Sequence, residues 1–190
     1  MLSPLAGRSD KSSFPASTLG NDLSGWEGER WVDTRSAAVR AIMSKRIALA
    51  KTKNCDGVDP DNVDAYNNDN GLNLTQDDTV SYMNYLADAA HNKSLAIGLK
   101  NAGDVIPRVI SKMQWSINEE CVKYKECSVY QPFITAGKPV FHVEYPKGDD
   151  VNNNKAVSAK TKTKVCGDKG AKGFSSIIKN IDLDGWIQFC

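Results

Sequence analysis

Short apolar runs alternate with amphipathic helical segments along this chain, and no other feature constrains its fold as much. Trp31-Val32-Asp33-Thr34-Arg35 reads as a strand. Ser36 follows as an N-cap, opening a helix through about Lys53 with Val39, Ile42, Met43 and Leu49 near one face. Gly57-Val58-Asp59 is a short strand that runs into an acidic loop over residues 60–71. Thr75-Gln76-Asp77-Asp78 then opens the clearest helix, a capping-box variant with Val80, Met83, Leu86, Ala87 and Ala90 at helical spacing. The same unit recurs. Residues 95–100 form a strand, and 104–113 a helix with Pro107 in its first turn, where a missing amide hydrogen costs little. Residues 115–118, 138–145 and 175–179 are further strands, and 122–133 a cysteine-tied helical or loop segment. Residues 146–172 are polar and lysine-rich and read as a long surface loop.

Strands alternating with helices imply a mainly parallel α/β sheet, because parallel neighbours need a crossover between them. Polar and charged residues gather where each strand ends: Asp33, Asp59 and Asp61, Lys100 and Asn101, Asn118 and Glu119, Glu144. In a (β/α)8 TIM barrel that rim is where chemistry sits. About six of the eight strand-helix units are legible, so the expected fold is an incomplete barrel.

Composition narrows the partners. Twenty-four Lys and Arg against 23 Asp and Glu leave a formal charge of +1. A general nucleic-acid or membrane-surface binder needs a basic excess, so both partners are excluded as expectations. No run approaches the ~18 apolar residues of a membrane span. Residues 1–13 lack the apolar core of a secretory signal peptide. The five cysteines, Cys55, Cys121, Cys127, Cys166 and Cys190, match no zinc spacing. Disulfides are the better reading, and an odd count leaves at least one cysteine unpaired. The sequons at Asn73 and Asn92 are no more than this content of Asn, Ser and Thr gives by chance.

The carboxylates carry the chemical signal. Val58-Asp59-Pro60-Asp61-Asn62-Val63-Asp64 places three acids at a strand-to-loop junction. Asn118-Glu119-Glu120 and Val143-Glu144-Tyr145 put acids at later strand ends. Glycoside hydrolysis needs two such groups, one protonated to aid the leaving oxygen and one ionised to attack or to activate water. Acidic surface loops without function are the plain alternative. Calcium is another, but the spacing of Asp59, Asp61 and Asp64 fails the EF-hand pattern. His91 ends a helix and His142 lies inside a strand, so Cys-His catalysis is a weak reading. Gly167, Gly170 and Gly173 follow no strand and make no phosphate loop.

At these residues the chain resembles a known family. Gly25-Trp26-Glu27-Gly28-Glu29-Arg30-Trp31-Val32-Asp33-Thr34-Arg35-Ser36 is similar to a motif of glycoside hydrolase family 114, the endo-α-1,4-polygalactosaminidases. Cys55-Asp56-Gly57-Val58-Asp59-Pro60-Asp61-Asn62-Val63-Asp64 resembles its most recognisable stretch. Gly98-Leu99-Lys100-Asn101, Asn118-Glu119-Glu120-Cys121, Ala136-Gly137-Lys138 with Val143-Glu144-Tyr145, and Ile178-Lys179-Asn180 with Leu183-Asp184 follow in the family's order. The resemblance implies a secreted (β/α)8 barrel that cleaves galactosamine polymers within the chain, using acidic residues and no organic cofactor; no metal site is expected. It implies Asp61 and Glu119 as the catalytic pair. Asp33, Asp59, Asn62, Asp64, Lys100, Asn118 and Glu144 are the expected substrate-binding residues. An acidic rim suits this substrate, since deacetylated galactosamine units carry ammonium groups.

Two departures stand out: Asp59 replaces the family's usual Glu, and Ala102 stands where an Asp usually follows Leu-Lys-Asn. The resemblance also implies that residues 1–190 form one domain lacking its first two strands and their signal peptide, with the second strand ending around residues 3–8. A catalytically inactive fragment that at most binds aminosugar polymers is then the alternative function. Open edges beside residues 31–35 and 175–179 would favour self-association. Cys121 is expected to pair with Cys127 behind Glu119, and Cys166 with Cys190, leaving Cys55 free.

Overall fold

A parallel neighbour can be reached only by carrying the chain back over the sheet, and both units of this protein solve that problem with a helix or a helical turn. The computed structural model describes residues 9–148 and 153–190. The chain divides into the units Met1–Gln114 and Trp115–Cys190. The end of a second barrel strand expected around residues 3–8 lies outside the described residues.

The first unit opens with an antiparallel ribbon of β1 (Leu19–Asp22) and β2 (Arg30–Val32), pairing Leu19 with Val32 and Asp22 with Arg30. This corrects the expectation for residues 31–35. Only Trp31 and Val32 are strand, and their partner is antiparallel β1 rather than a sheet neighbour. The physical reason lies after Val32: the Asp33 amide donates to the Thr18 carbonyl at 2.8 Å, and Asp33 and Arg35 bond each other across a turn. The ribbon packs tightly on the acidic loop. The Asn21 amide donates to the Asn70 carbonyl at 3.0 Å, and a Cβ at Gly20 would stand 2.1 Å from that same oxygen. Only glycine permits the approach. Leu23, Trp31, Ala65 and Leu74 form the small apolar cluster beneath it.

Helix α1 (Ala37–Thr52) starts where expected, with the Ser36 side chain accepting from the Val39 amide. It buries Val39, Ile42, Met43 and Ile47, whereas Leu49, expected inward, is exposed. Strand β3 (Gly57–Val58) follows, then helix α2 (Gln76–His91) and strand β4 (Ala96–Lys100). β3 and β4 are parallel, with Gly57 opposite Ala96 and Val58 opposite Ile97. Helix α2 carries a complete capping box between Thr75 and Asp78 and turns Val80, Met83, Leu86, Ala87 and Ala90 inward. The single helix expected over residues 104–113 is broken into short turns around α3 (Ile106–Val109), after Ala102 adopts a left-handed φ of 52°.

The second unit runs β5 (Trp115–Glu119), α4 (Cys121–Tyr124), α5 (Gln131–Thr135) and β6 (Val140–Glu144). It continues with α6 (Ala159–Cys166), β7 (Ser175–Lys179) and β8 (Ile187–Phe189). β5, β6 and β7 are parallel neighbours in that order, and β8 runs antiparallel on β7. Two expectations are corrected here. Residues 146–172 are not one loop, since α6 lies within them, capped by Ser158 accepting from the Thr161 amide. Nor is β7 an open edge, because β8 pairs with it from Ile177 to Lys179. The expected disulfides are both present, Cys121 with Cys127 and Cys166 with Cys190, and Cys55 is free and exposed. Among the described residues, no helix is long and apolar enough to cross a membrane.

Candidate active site

In the first unit the site grows from the parallel register of β3 and β4. Their C-terminal ends lie side by side, so the Lys100 ammonium donates to Asp61 Oδ1 at 3.0 Å. Asn62 adopts a left-handed φ of 56°, a conformation asparagine tolerates better than most residues, and its amide donates to the same Oδ1 at 3.1 Å. Lys100 is largely buried and Asp61 half-buried, with side-chain exposures of 12% and 39%. The carboxylate therefore stands at the open end of the pair.

The loop behind it is fixed from both sides. Thr79 of α2 donates to the Val63 carbonyl at 2.9 Å. Buried Asn70 donates to the Ala65 carbonyl at 2.8 Å and accepts from the Leu72 amide at 2.8 Å. Asp59 and Asp64 are half-buried on this loop. A cleft of about 350 Å³ opens beside it, lined by Trp26, Trp31, Asn62, Asp64, Asn68 and Asp69 among others. Asp33 has a partner of its own: Arg35 binds both carboxylate oxygens, at 2.8 and 3.2 Å. That guanidinium holds the Asp33 carboxyl below its ordinary range, against the opposing effect of burial.

In the second unit Glu119 ends β5, and the next residue breaks the strand. Glu120 takes a left-handed φ of 62°, its amide donates to the Val143 carbonyl at 2.8 Å, and its carboxylate bonds Lys123. Glu119 itself is half-buried, with Oε1 accepting a hydrogen bond from the hydroxyl of Tyr145. Asn118 is fully buried, its Oδ1 accepting from the amide of Cys121, the first residue of α4, at 3.0 Å.

Glu144 departs from the expectation of an open rim position. Strand alternation places it on the same buried face as Val140 and His142, and it is only 3% exposed. Its Oε1 accepts from the Val122 amide at 2.7 Å and from His142 Nε2 at 2.9 Å. His142 Nδ1 lies 2.9 Å from Ser176 Oγ. Cys121, Cys127 and His142 lie together, but the two sulfurs are bonded to each other and both ring nitrogens are engaged. That trio offers no metal ligands.

The structure thus brings Asp61, Asn62 and Lys100 into one cluster, with Asp59 and Asp64 on the same loop. Asn118, Glu119 and Glu144 share the other unit, where Asn118 and Glu144 both hold amides of α4. Tyr145 is the functional candidate that reading the sequence missed. Period-two alternation along β6 is the signal that finds it, since it sends Glu144 inward and leaves the following residue to cross toward β5.

A model of glycoside-hydrolase family GH114 matches residues 5–190. No curated protein matches the chain. Among solved structures, the crystal structure of Aspergillus fumigatus Ega3 in complex with galactosamine is similar over 99% of this chain and 75% of its own, with a TM-score of 0.96 and 54% identity. The glycoside hydrolase domain of PelA from Pseudomonas aeruginosa matches at a TM-score of 0.60 and 12% identity, over 95% of this chain and 73% of its own. That second likeness is one of fold alone. Both units carry the parallel strand pattern of an incomplete (β/α)8 barrel.

Proposed function

Because the chain belongs to glycoside-hydrolase family GH114, we propose that it cleaves internal α-1,4 linkages of a galactosamine-containing polysaccharide by a two-carboxylate mechanism. The observation that carries this reading is the likeness, over nearly the whole chain, to a protein crystallised with galactosamine. Galactosamine is cationic at neutral pH, and Asp59, Asp61 and Asp64 stand on one loop of the first unit, a suitable concentration of negative charge for it. Asp61 and Glu119 are the catalytic pair. One donates a proton to the departing glycosidic oxygen, and the other attacks the anomeric carbon or activates the water that does. Lys100 and the Asn62 amide orient Asp61, and Asp59, Asn62 and Asp64 face the sugar. Asn118 and Glu144 support the second unit by accepting from the first two amides of α4. The two disulfides suit an oxidising compartment, in keeping with a secreted enzyme.

The test is incubation with a soluble α-1,4-galactosamine polymer, following reducing ends and product sizes. Oligosaccharides from internal cleavage are expected. Asp61→Asn and Glu119→Gln should each lower the rate by roughly a thousandfold while circular dichroism stays unchanged. If both variants keep wild-type rates, the pair is wrong and Asp59 is the next carboxylate to change. Binding of the polymer without any release would leave a non-cleaving aminosugar binder instead.

A further inference from the structure

We infer that Tyr145 is a positioning residue for Glu119, fixing the orientation of its carboxylate during cleavage; the inference rests on the place given to Glu119 in the proposed pair. Two constraints meet at the end of β5. The backbone is pinned there by the Glu120 amide on the Val143 carbonyl, directly across from Glu119 in the β5–β6 register. The side chain is pinned by Tyr145, which stands two residues beyond that register partner, is 8% exposed, and donates its phenolic proton to Glu119 Oε1.

The neighbouring acids are committed elsewhere. Glu120 bonds Lys123, and Glu144 serves His142 and the Val122 amide. Glu119 is the acid of this cluster that the Tyr145 hydroxyl holds. A glutamate carries three side-chain torsions, and an unheld carboxylate divides its time among rotamers. A reacting oxygen must instead lie about 3 to 3.5 Å from its target and in line with it. By committing Oε1, Tyr145 fixes the carboxylate plane before substrate arrives. That contribution belongs to the chemical step rather than to sugar binding.

The experiment is steady-state kinetics on the galactosamine polymer with wild type, Tyr145→Phe, Glu119→Gln and the double variant. Tyr145→Phe keeps the buried ring, and a melting curve checks that it folds. Its kcat should fall about tenfold with KM changed less than about twofold. In the Glu119→Gln background the same change should lower the residual rate no further, because the group being positioned has lost its role. A kcat at the wild-type value, a loss confined to KM, or full additivity in the double variant overturns the inference. These failures differ from those of the functional reading. A wild type that releases no oligosaccharide removes both claims, and an active Glu119→Gln variant removes the pair. An inactive Glu119→Gln beside an unaffected Tyr145→Phe removes only the role of Tyr145.

Discussion

Asp33 and Arg35 show how two residues can settle their charges between themselves. The bidentate contact holds Asp33 below its ordinary titration range and Arg35 above its own, the side-chain hydrogen bond being the largest cause for both. An acid that ionises more readily folded than unfolded adds stability above its unfolded value, near 3.9 for aspartate, and that contribution fades as pH falls through the folded value. Asp33→Asn should therefore be less stable than wild type at neutral pH, by at most about 1 kcal/mol given the partial exposure of the pair. The gap should close as pH drops below the usual carboxylate range. Urea unfolding at neutral and acidic pH measures it, and a gap that persists unchanged into acid would refute the linkage. The same contact weakens Asp33 as an attractor of a substrate ammonium, since Arg35 already balances its charge.

Among the elements, α2 is the one whose ends and faces agree at every level. Thr75 and Asp78 close a reciprocal capping box, with the Asp78 carboxylate accepting from the Thr75 amide at 2.9 Å and the Asp78 amide donating to Thr75 Oγ1 at 3.3 Å. Thr75→Ala should cost about 1 kcal/mol in a denaturant titration, and a variant as stable as wild type would show that packing alone holds the helix start. Such elements are legible in the sequence because cap and periodicity speak together, as they do in α1 with its Ser36 cap; β4, β5, β6 and β7 are legible instead as short apolar runs between helical segments. The misses have physical causes. Leu19-Gly20-Asn21-Asp22 has no alternation, and β1 exists through contacts to Arg30 on the neighbouring strand and to Asn70 far along the chain. Helix α6 buries only Val165, so its polar face drowns the start signal of Ser158. At the site, Asp61 and Lys100 could be anticipated as strand-end residues that meet. Glu144 could not be placed from its motif alone, because the strand's period of two overrules sequence neighbourhood, and Tyr145 went unnoticed beside it.

At the scale of the whole molecule, cysteine pairing carries what charge does not, for 24 cationic and 23 anionic side chains nearly cancel. Thiol titration in denaturant without reductant should find one reactive thiol per chain, that of Cys55; finding five would refute both disulfides. Replacing Cys166 and Cys190 together by alanine should lower stability by roughly 3 kcal/mol, as expected for a crosslink spanning 24 positions. That crosslink ends one residue past β8, the three-residue strand lying antiparallel on five-residue β7. A sheet margin is an unfilled valence, able to recruit a stranger's strand and seed an insoluble ribbon of many chains. β8 covers β7 from Ile177 to Lys179 and leaves outward a margin only three residues long, and the sulfur bond holds that stopper's end. The hold on that margin is thereby tied to the redox state of its surroundings: under reducing conditions the stopper loses its sulfur tether, and under oxidising ones it keeps it.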